Sequence, residues 1–416
     1  MRSRTIYSLS MKPKIPTTGH GTLIAGSTSA GRPLRDEKRR IPLGKLGACR
    51  EPSGVLGEAG DPASGDLAPN SKHRLTLGKG KADLTLGAYE VVTENVVIVG
   101  KKATGKSYFA HVLVEEMLSL YRQPKLMSAG VSVVIFAPSG GWWGIRAGRS
   151  GSARGASRVL TIGGEHADFT LDRRMGARIA DLVDAVRPLP LLVEMGEMAV
   201  AEQQELVADF AERLAMSQAC RLLHIVLDEA EDFFPTSPVN GPQLRAARAL
   251  DTLIRKRRTR GIAVTTVASR LTNLNRNVTS QTGRFFLFGM SSPQDIDAVG
   301  ELVRYGSPQD VDQLSAQVVR LAPGEAIHLT HGKKYGHVRF RVRRLRTYDS
   351  HQLPPIGTAE RKPDKLATIT SKTMKIARAT LFPAKPTVAG PSTRPGSAPA
   401  QSSSHVPPAK GNIPRP

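Results

Sequence analysis

Eight consecutive residues, Gly100-Lys101-Lys102-Ala103-Thr104-Gly105-Lys106-Ser107, match the pattern G-x-x-x-x-G-K-[ST] at every position. Such a loop turns its backbone N–H groups toward a phosphate chain, at the positive end of the helix that follows. Lys106 would sit on the β- and γ-phosphates, and the Ser107 hydroxyl would hold Mg²⁺. The implied ligand is ATP with Mg²⁺. A second chemical group is Asp228-Glu229, which ends the apolar run Leu222-Leu223-His224-Ile225-Val226-Leu227. Asp228 would bind the magnesium, directly or through water. Glu229 would orient the attacking water and take its proton. The adjacent acid argues for a hydrolase that turns over. Ala230-Glu231-Asp232 continues the acidity, which alone would also suit a solvated helix start.

The elements needed to hold these groups are present. The β-branched run Asn95–Val99 leads into Gly100, and a helical stretch follows from Ser107 to Leu118. Strand, glycine loop, helix is the order the phosphate chemistry requires. An apolar strand ending in carboxylates fits a buried parallel strand, whose C-terminal end is where α/β sheets place ligands. Between and after the two motifs, strands and helices alternate. Strands are expected at 132–136, 159–162, 190–194, 261–267 and 285–288. Helices are expected at 178–186, 198–216 and 244–258. The expected fold is therefore α/β, a mostly parallel sheet with helices on both faces. At least one strand should separate the phosphate-loop strand from the Asp228 strand, as in the RecA-like branch of P-loop NTPases.

Charge bounds the domain. The 416 residues carry a net +23, of which residues 1–82 hold +9 and 351–416 hold +8. Both ends are basic, rich in Gly, Ser or Pro, and poor in long apolar runs. Segments of that composition cannot bury enough surface to offset ordering entropy. The expectation is a basic disordered extension (1–82), an ATPase domain (83–350) and a Pro/Lys-rich disordered tail (351–416). Basic tails suggest an anionic partner, nucleic acid first. No apolar run approaches the ~20 residues of a membrane span. Two cysteines, Cys49 and Cys220, are too few for a disulfide or zinc framework, so a cytoplasmic, reducing location is expected.

With these residues in place, the core resembles the HerA/FtsK family of P-loop ATPases, and within it HerA-like ATP-binding proteins. The resemblance spans about residues 83–350. It rests on the loop 100–107, Asp228-Glu229, the basic turn Arg257-Arg258-Thr259-Arg260-Gly261, the strand end Val267-Ala268-Ser269-Arg270, and Asn277-Val278-Thr279-Ser280-Gln281. It implies a homo-oligomeric ring, a hexamer, with ATP between subunits and double-stranded DNA translocated through the middle. It also implies a nuclease partner as one setting, with conjugation or genome packaging as an alternative. By family position, Arg258 and Arg260 are candidates for the arginine given in trans to the neighbour's γ-phosphate, the alternative being a solvated helix C-terminus; Ser269 ends its strand where it could contact the γ-phosphate, the alternative being an ordinary strand-end turn. The chain departs from the family pattern at three places. Ala103 replaces a loop glycine, Ala137-Pro138-Ser139-Gly140-Gly141 replaces an acidic segment, and Arg270 stands where glutamine is usual. The lost acids leave open a nucleotide-gated clamp that binds DNA or a partner without translocating.

Other features read more blandly. His224, inside an apolar strand, is expected to be a satisfied core histidine. Trp142-Trp143, on a glycine-rich loop, should pack in the core or at an interface rather than stack on a base. The run Val338-Arg339-Phe340-Arg341-Val342-Arg343 alternates at period two, so Val338, Phe340 and Val342 should face the core; the arginine row could track phosphates but is expected on an edge strand, where charge discourages pairing.

Overall fold

The computed structural model describes residues 74–79, 83–120, 131–217, 222–256, 261–303, 308–330, 336–351 and 366–383. Arg258, Arg260, both cysteines and most of the two basic ends lie outside these residues.

The phosphate-loop strand β3 (Val96–Val99) reads VVIV because both of its faces are covered. Val97 and Val99 enter one hydrophobic core, and Val96 and Ile98 enter the other. The alternation is the period of two expected of a strand, with neither side left to water. Helix α2 (Lys106–Ser119) follows the loop. Strands β4 (Ser132–Ala137), β5 (Leu160–Ile162), β6 (Pro190–Glu194), β7 (Leu223–Leu227), β8 (Ile262–Ala268) and β9 (Arg284–Leu287) complete the parallel part. Its order is β9-β3-β8-β7-β4-β6-β5. Strand β8 therefore separates the phosphate-loop strand from the Asp228 strand, as the sequence led us to expect. This is a RecA-like P-loop arrangement.

Four antiparallel strands extend the sheet beyond β9. They are β10 (Glu325–Thr330), β11 (Gly336–Val342), β1 (Arg74–Lys79) and β2 (Leu84–Gly87), in that order outward. One face of the sheet carries α1 (Ala88–Thr93) and α2. The other packs α3 (Gly176–Ala185), α4 (Val200–Met216), α5 (Gly241–Lys256), α7 (Pro293–Leu302), α8 (Pro308–Val319) and α9 (Ser371–Leu381). The short α6 (Arg276–Ser280) leads into β9. No helix among the described residues is long and apolar enough to cross a membrane.

Ordered structure extends past both expected edges of the 83–350 span. Strand β1 is paired to β2 and β11. Helix α9, within the segment expected to be a disordered tail, buries Ala377 and Leu381, and Arg178 of α3 donates to the Leu381 carbonyl at 3.0 Å. The arginine row also differs from expectation. Strand β11 lies inside the sheet, with β10 along one side and its last two residues against β1. Its arginines are held by acids: Arg339 by Glu325 at 2.6 Å, and the nearly buried Arg343 by Glu115 and Glu116 at 2.9 Å each. Val338, expected in the core, is exposed, whereas Phe340 is buried. His224 is satisfied as expected. Its Nδ1 donates to the Val92 carbonyl at 3.0 Å, and its Nε2 lies 2.6 Å from the Thr265 hydroxyl. Burial pushes this imidazole down to about 4.

Candidate active site

The loop 100–107 crosses from β3 to α2 against β9 and β10. Lys101 N–H donates to the Gly289 carbonyl at 2.9 Å, and Gly324 N–H donates to Thr104 O at 3.0 Å. Gly100 is required by proximity, since a Cβ there would lie 2.5 Å from Cβ of Phe288. Gly105 adopts φ +98, which turns the chain into the helix. Ala103 takes φ +65, a left-handed conformation that costs an L-residue roughly 1–2 kcal/mol. This is the position where the resemblance leads one to expect glycine. The loop keeps its shape and carries the strain instead. No side chain caps the N-terminus of α2, so its first N–H groups remain available to an anion. Lys106 is buried, and its ammonium donates to the Lys101 carbonyl at 3.0 Å. Burial pushes its pKa down, against the opposing pull of Glu231, Asp228 and Glu229.

Asp228 emerges from the end of β7, almost fully buried. Its Oδ2 accepts from the Trp142 indole Nε1 at 3.0 Å, and its Oδ1 from the Glu229 N–H at 3.1 Å. Trp142 is thus both core and site. Its ring stacks on His111 with centroids 5.2 Å apart and meets His351 edge-on at 5.7 Å. Trp143 stacks on Tyr348 instead. The tryptophan turn is itself fixed by buried Glu194, whose Oε1 accepts from both backbone N–H groups at 3.0 Å. Burial raises the Glu194 carboxyl above the usual range.

Glu229 is exposed to the cleft and sits at φ +47, a second strained non-glycine residue. Partial burial raises its carboxyl, reinforced by the charges of Asp228, Asp232 and Glu231, while a hydrogen bond from Ser139 lowers it. Ser139 lies in the segment that lacks the family's acids. Its hydroxyl hydrogen-bonds the Glu229 carboxylate where an acid would have repelled it.

The loop, Asp228, Glu229 and Ser269 line one cleft of about 880 Å³. The structure therefore brings together Gly105, Lys106, Ser107, Asp228, Glu229 and Ser269. It does not describe Arg258 or Arg260. A donor set of the Ser107 hydroxyl and the Asp228 carboxylate, oxygen only and beside a phosphate cradle, fits Mg²⁺.

Glu231, Asp349 and His351 of this cleft, and Trp142 buried behind it, escaped the sequence reading. Trp142 donates to Asp228 across 86 residues of chain. Asp349 and His351 line the cleft from the segment after β11. That segment is tied down by Ser350, whose hydroxyl donates to Gly141 O and accepts from Gly144 N–H, and by Thr347, whose N–H donates to Glu115 of α2 at 2.7 Å. No spacing in the sequence announces such contacts. Glu231 read as one of a run of solvated acids, yet its Oε1 accepts from Ser269 N–H at 2.9 Å.

No protein-family model matches the chain, and no curated protein sequence matches it. Among solved structures, the chain is similar to the genome packaging NTPase B204 from Sulfolobus turreted icosahedral virus 2 in complex with AMPPCP. That likeness has 12% identity and a TM-score of 0.37, over 60% of this chain and 97% of the other. It is also similar to VirB4 of Thermoanaerobacter pseudethanolicus (13% identity, TM-score 0.41, 66% and 98% covered). A third is the pCW3 conjugation coupling protein TcpA with ATPγS (9% identity, TM-score 0.38, 69% of each). At such identities and scores these likenesses carry no argument. The functional reading rests on the loop, the strand order and the cleft.

Proposed function

We propose that this chain is a Mg²⁺-dependent ATPase of the HerA/FtsK type that assembles into a homo-oligomeric ring and moves double-stranded DNA. The observation that carries the reading is the cleft itself. An uncapped helix N-terminus and Lys106 face Asp228 and Glu229 across a space large enough for a nucleotide. Ser107 and Asp228 would hold Mg²⁺, which when bound neutralises charge on the β- and γ-phosphates. Lys106 neutralises the remaining phosphate charge, and the N–H groups of α2 orient the chain of phosphates. Glu229 holds the attacking water and takes its proton. Its raised pKa makes it a stronger base than an ordinary carboxylate, and its strained backbone aims it into the cleft. Ser269, just past the end of β8, would contact the γ-phosphate.

The ring reading follows from the family resemblance, which makes Arg258 and Arg260 candidates for a neighbour's γ-phosphate. DNA as the partner is supported by the charge, since +17 of the +23 lies in the basic ends. A nuclease partner follows from the family resemblance alone, and a cytoplasmic setting from two cysteines too few for a disulfide framework.

The test is phosphate release by the full chain with and without duplex DNA at low salt. Mg²⁺-dependent turnover that rises on saturating DNA is expected. Turnover that ignores every DNA offered would replace translocation with the nucleotide-gated clamp, and no hydrolysis would overturn the ATPase reading.

A further inference from the structure

Glu231 lines the cleft together with Lys106 and Ser269 but is neither the proposed magnesium ligand nor the proposed base. One of its oxygens is fully used: Oε1 accepts the Ser269 N–H at 2.9 Å, and the Ser269 hydroxyl also donates to this carboxylate. The other, Oε2, is buried and has no hydrogen-bond partner. Such an oxygen keeps the desolvation cost of an acceptor without the compensating bond. Glu231 is also the carboxylate with the strongest pull on the Lys106 charge, ahead of Asp228 and Glu229. Of the two donors that ATP hydrolysis would turn on the γ-phosphate, Ser269 is thus already hydrogen-bonded to this carboxylate, and Lys106 shares the cleft with it.

We infer that Glu231 is a positioning residue that stands in for the γ-phosphate in the nucleotide-free site, holding Ser269 and balancing Lys106 until the phosphate takes both. This inference rests on the proposed hydrolysis at this cleft. It follows that Glu231 competes chiefly with the third phosphate. A diphosphate does not reach Ser269, so ADP meets the competition only through Lys106 and more weakly than the triphosphate. The same carboxylate then favours phosphate departure after cleavage, because it reclaims Ser269 and repels the product anion. Glu231 thereby sets how strongly the site prefers ATP over ADP and how fast phosphate leaves.

The experiment measures calorimetric binding of a β,γ-methylene ATP analogue and of ADP, each with Mg²⁺, to the full chain and to Glu231→Gln. The glutamine oxygen still accepts from Ser269 N–H, so the local fold is kept while the charge is removed. Expected is about tenfold tighter binding of the triphosphate analogue, the effect of roughly one pK unit of lost repulsion, with a clearly smaller gain for ADP, whose β-phosphate meets Lys106 alone. Ser269→Ala supplies the second arm: in that background the Glu231→Gln gain for the triphosphate should shrink. A purely structural Glu231 would weaken both ligands alike, or neither, and either result overturns the inference while leaving the ATPase reading intact. A wild-type chain that binds neither nucleotide overturns both together.

Discussion

Replacing Trp142 by Phe isolates one hydrogen bond in the cleft. The indole N–H is a direct donor to Asp228 Oδ2, 3.0 Å away. The two backbone bonds from residues 142 and 143 to Glu194 do not depend on the side chain, so the turn should persist. A phenyl ring also keeps most of the packing between His111 and His351. A hydrogen bond to a charged group contributes about 1.5–3 kcal/mol. What that bond does for metal binding is to orient the ligand, and losing such an outer partner typically costs roughly 10–100-fold in metal affinity. Asp228 would retain only the N–H of Glu229, on its other oxygen. The assay is a Mg²⁺ titration of phosphate release at saturating ATP. The half-saturating Mg²⁺ concentration should rise by at least tenfold, while ADP binding in EDTA stays within twofold. Emptying part of a fully buried site costs about 1–3 kcal/mol of stability, so thermal unfolding must show a folded variant. A folded Trp142→Phe with unchanged Mg²⁺ dependence would refute the view that the tryptophan orients the metal ligand.

Three further expectations follow from particular residues. Ala103→Gly relieves a left-handed strain of roughly 1–2 kcal/mol but loosens the unfolded chain by about 0.4–1 kcal/mol, so urea unfolding should show a net gain of up to about 1.6 kcal/mol. His224, held down to about 4, binds its proton more weakly folded than unfolded; its contribution is therefore present above about 6.5 and is lost as pH falls toward 4. The stability of wild type relative to His224→Gln should drop by about 1.4 kcal/mol per pH unit through that window, and a flat difference would show that the histidine is not buried neutral. Arg258→Ala or Arg260→Ala should keep ATP binding and cut turnover by roughly 10³-fold, with partial rescue when mixed with Glu229→Gln chains in rings; no rescue in proven mixed rings would remove the trans role.

The chemistry was legible where it is local. A loop and its strand and helix lie in one stretch of chain, and an apolar strand ending in two acids declares its own burial. Strand β8 between β3 and β7 could be anticipated because β-branched runs and helices alternate so regularly. What escaped was carried by long-range contact. Trp142 looked like packing because an indole N–H finds its acceptor only after folding. Asp349 and His351 reach the cleft because Arg343 and Thr347 anchor their segment to α2, which no periodicity encodes. The domain edges were misplaced for a related reason. Strand β1 and helix α9 are short, basic and only partly apolar, and their burial comes from partners far away in sequence. The arginine row shows the reverse error: alternating charge suggested an edge, but acids on α2 and β10 neutralise it inside the sheet.

The central claim is that ATP is hydrolysed in this cleft with Glu229 as the base. It is tested most directly by single-turnover cleavage of ATP pre-bound to Glu229→Gln chains, compared with wild type and with Lys106→Ala. The expected result is an ATP complex that persists uncleaved in Glu229→Gln, prompt cleavage in wild type, and no complex in Lys106→Ala. Cleavage by Glu229→Gln at the wild-type rate would contradict the account.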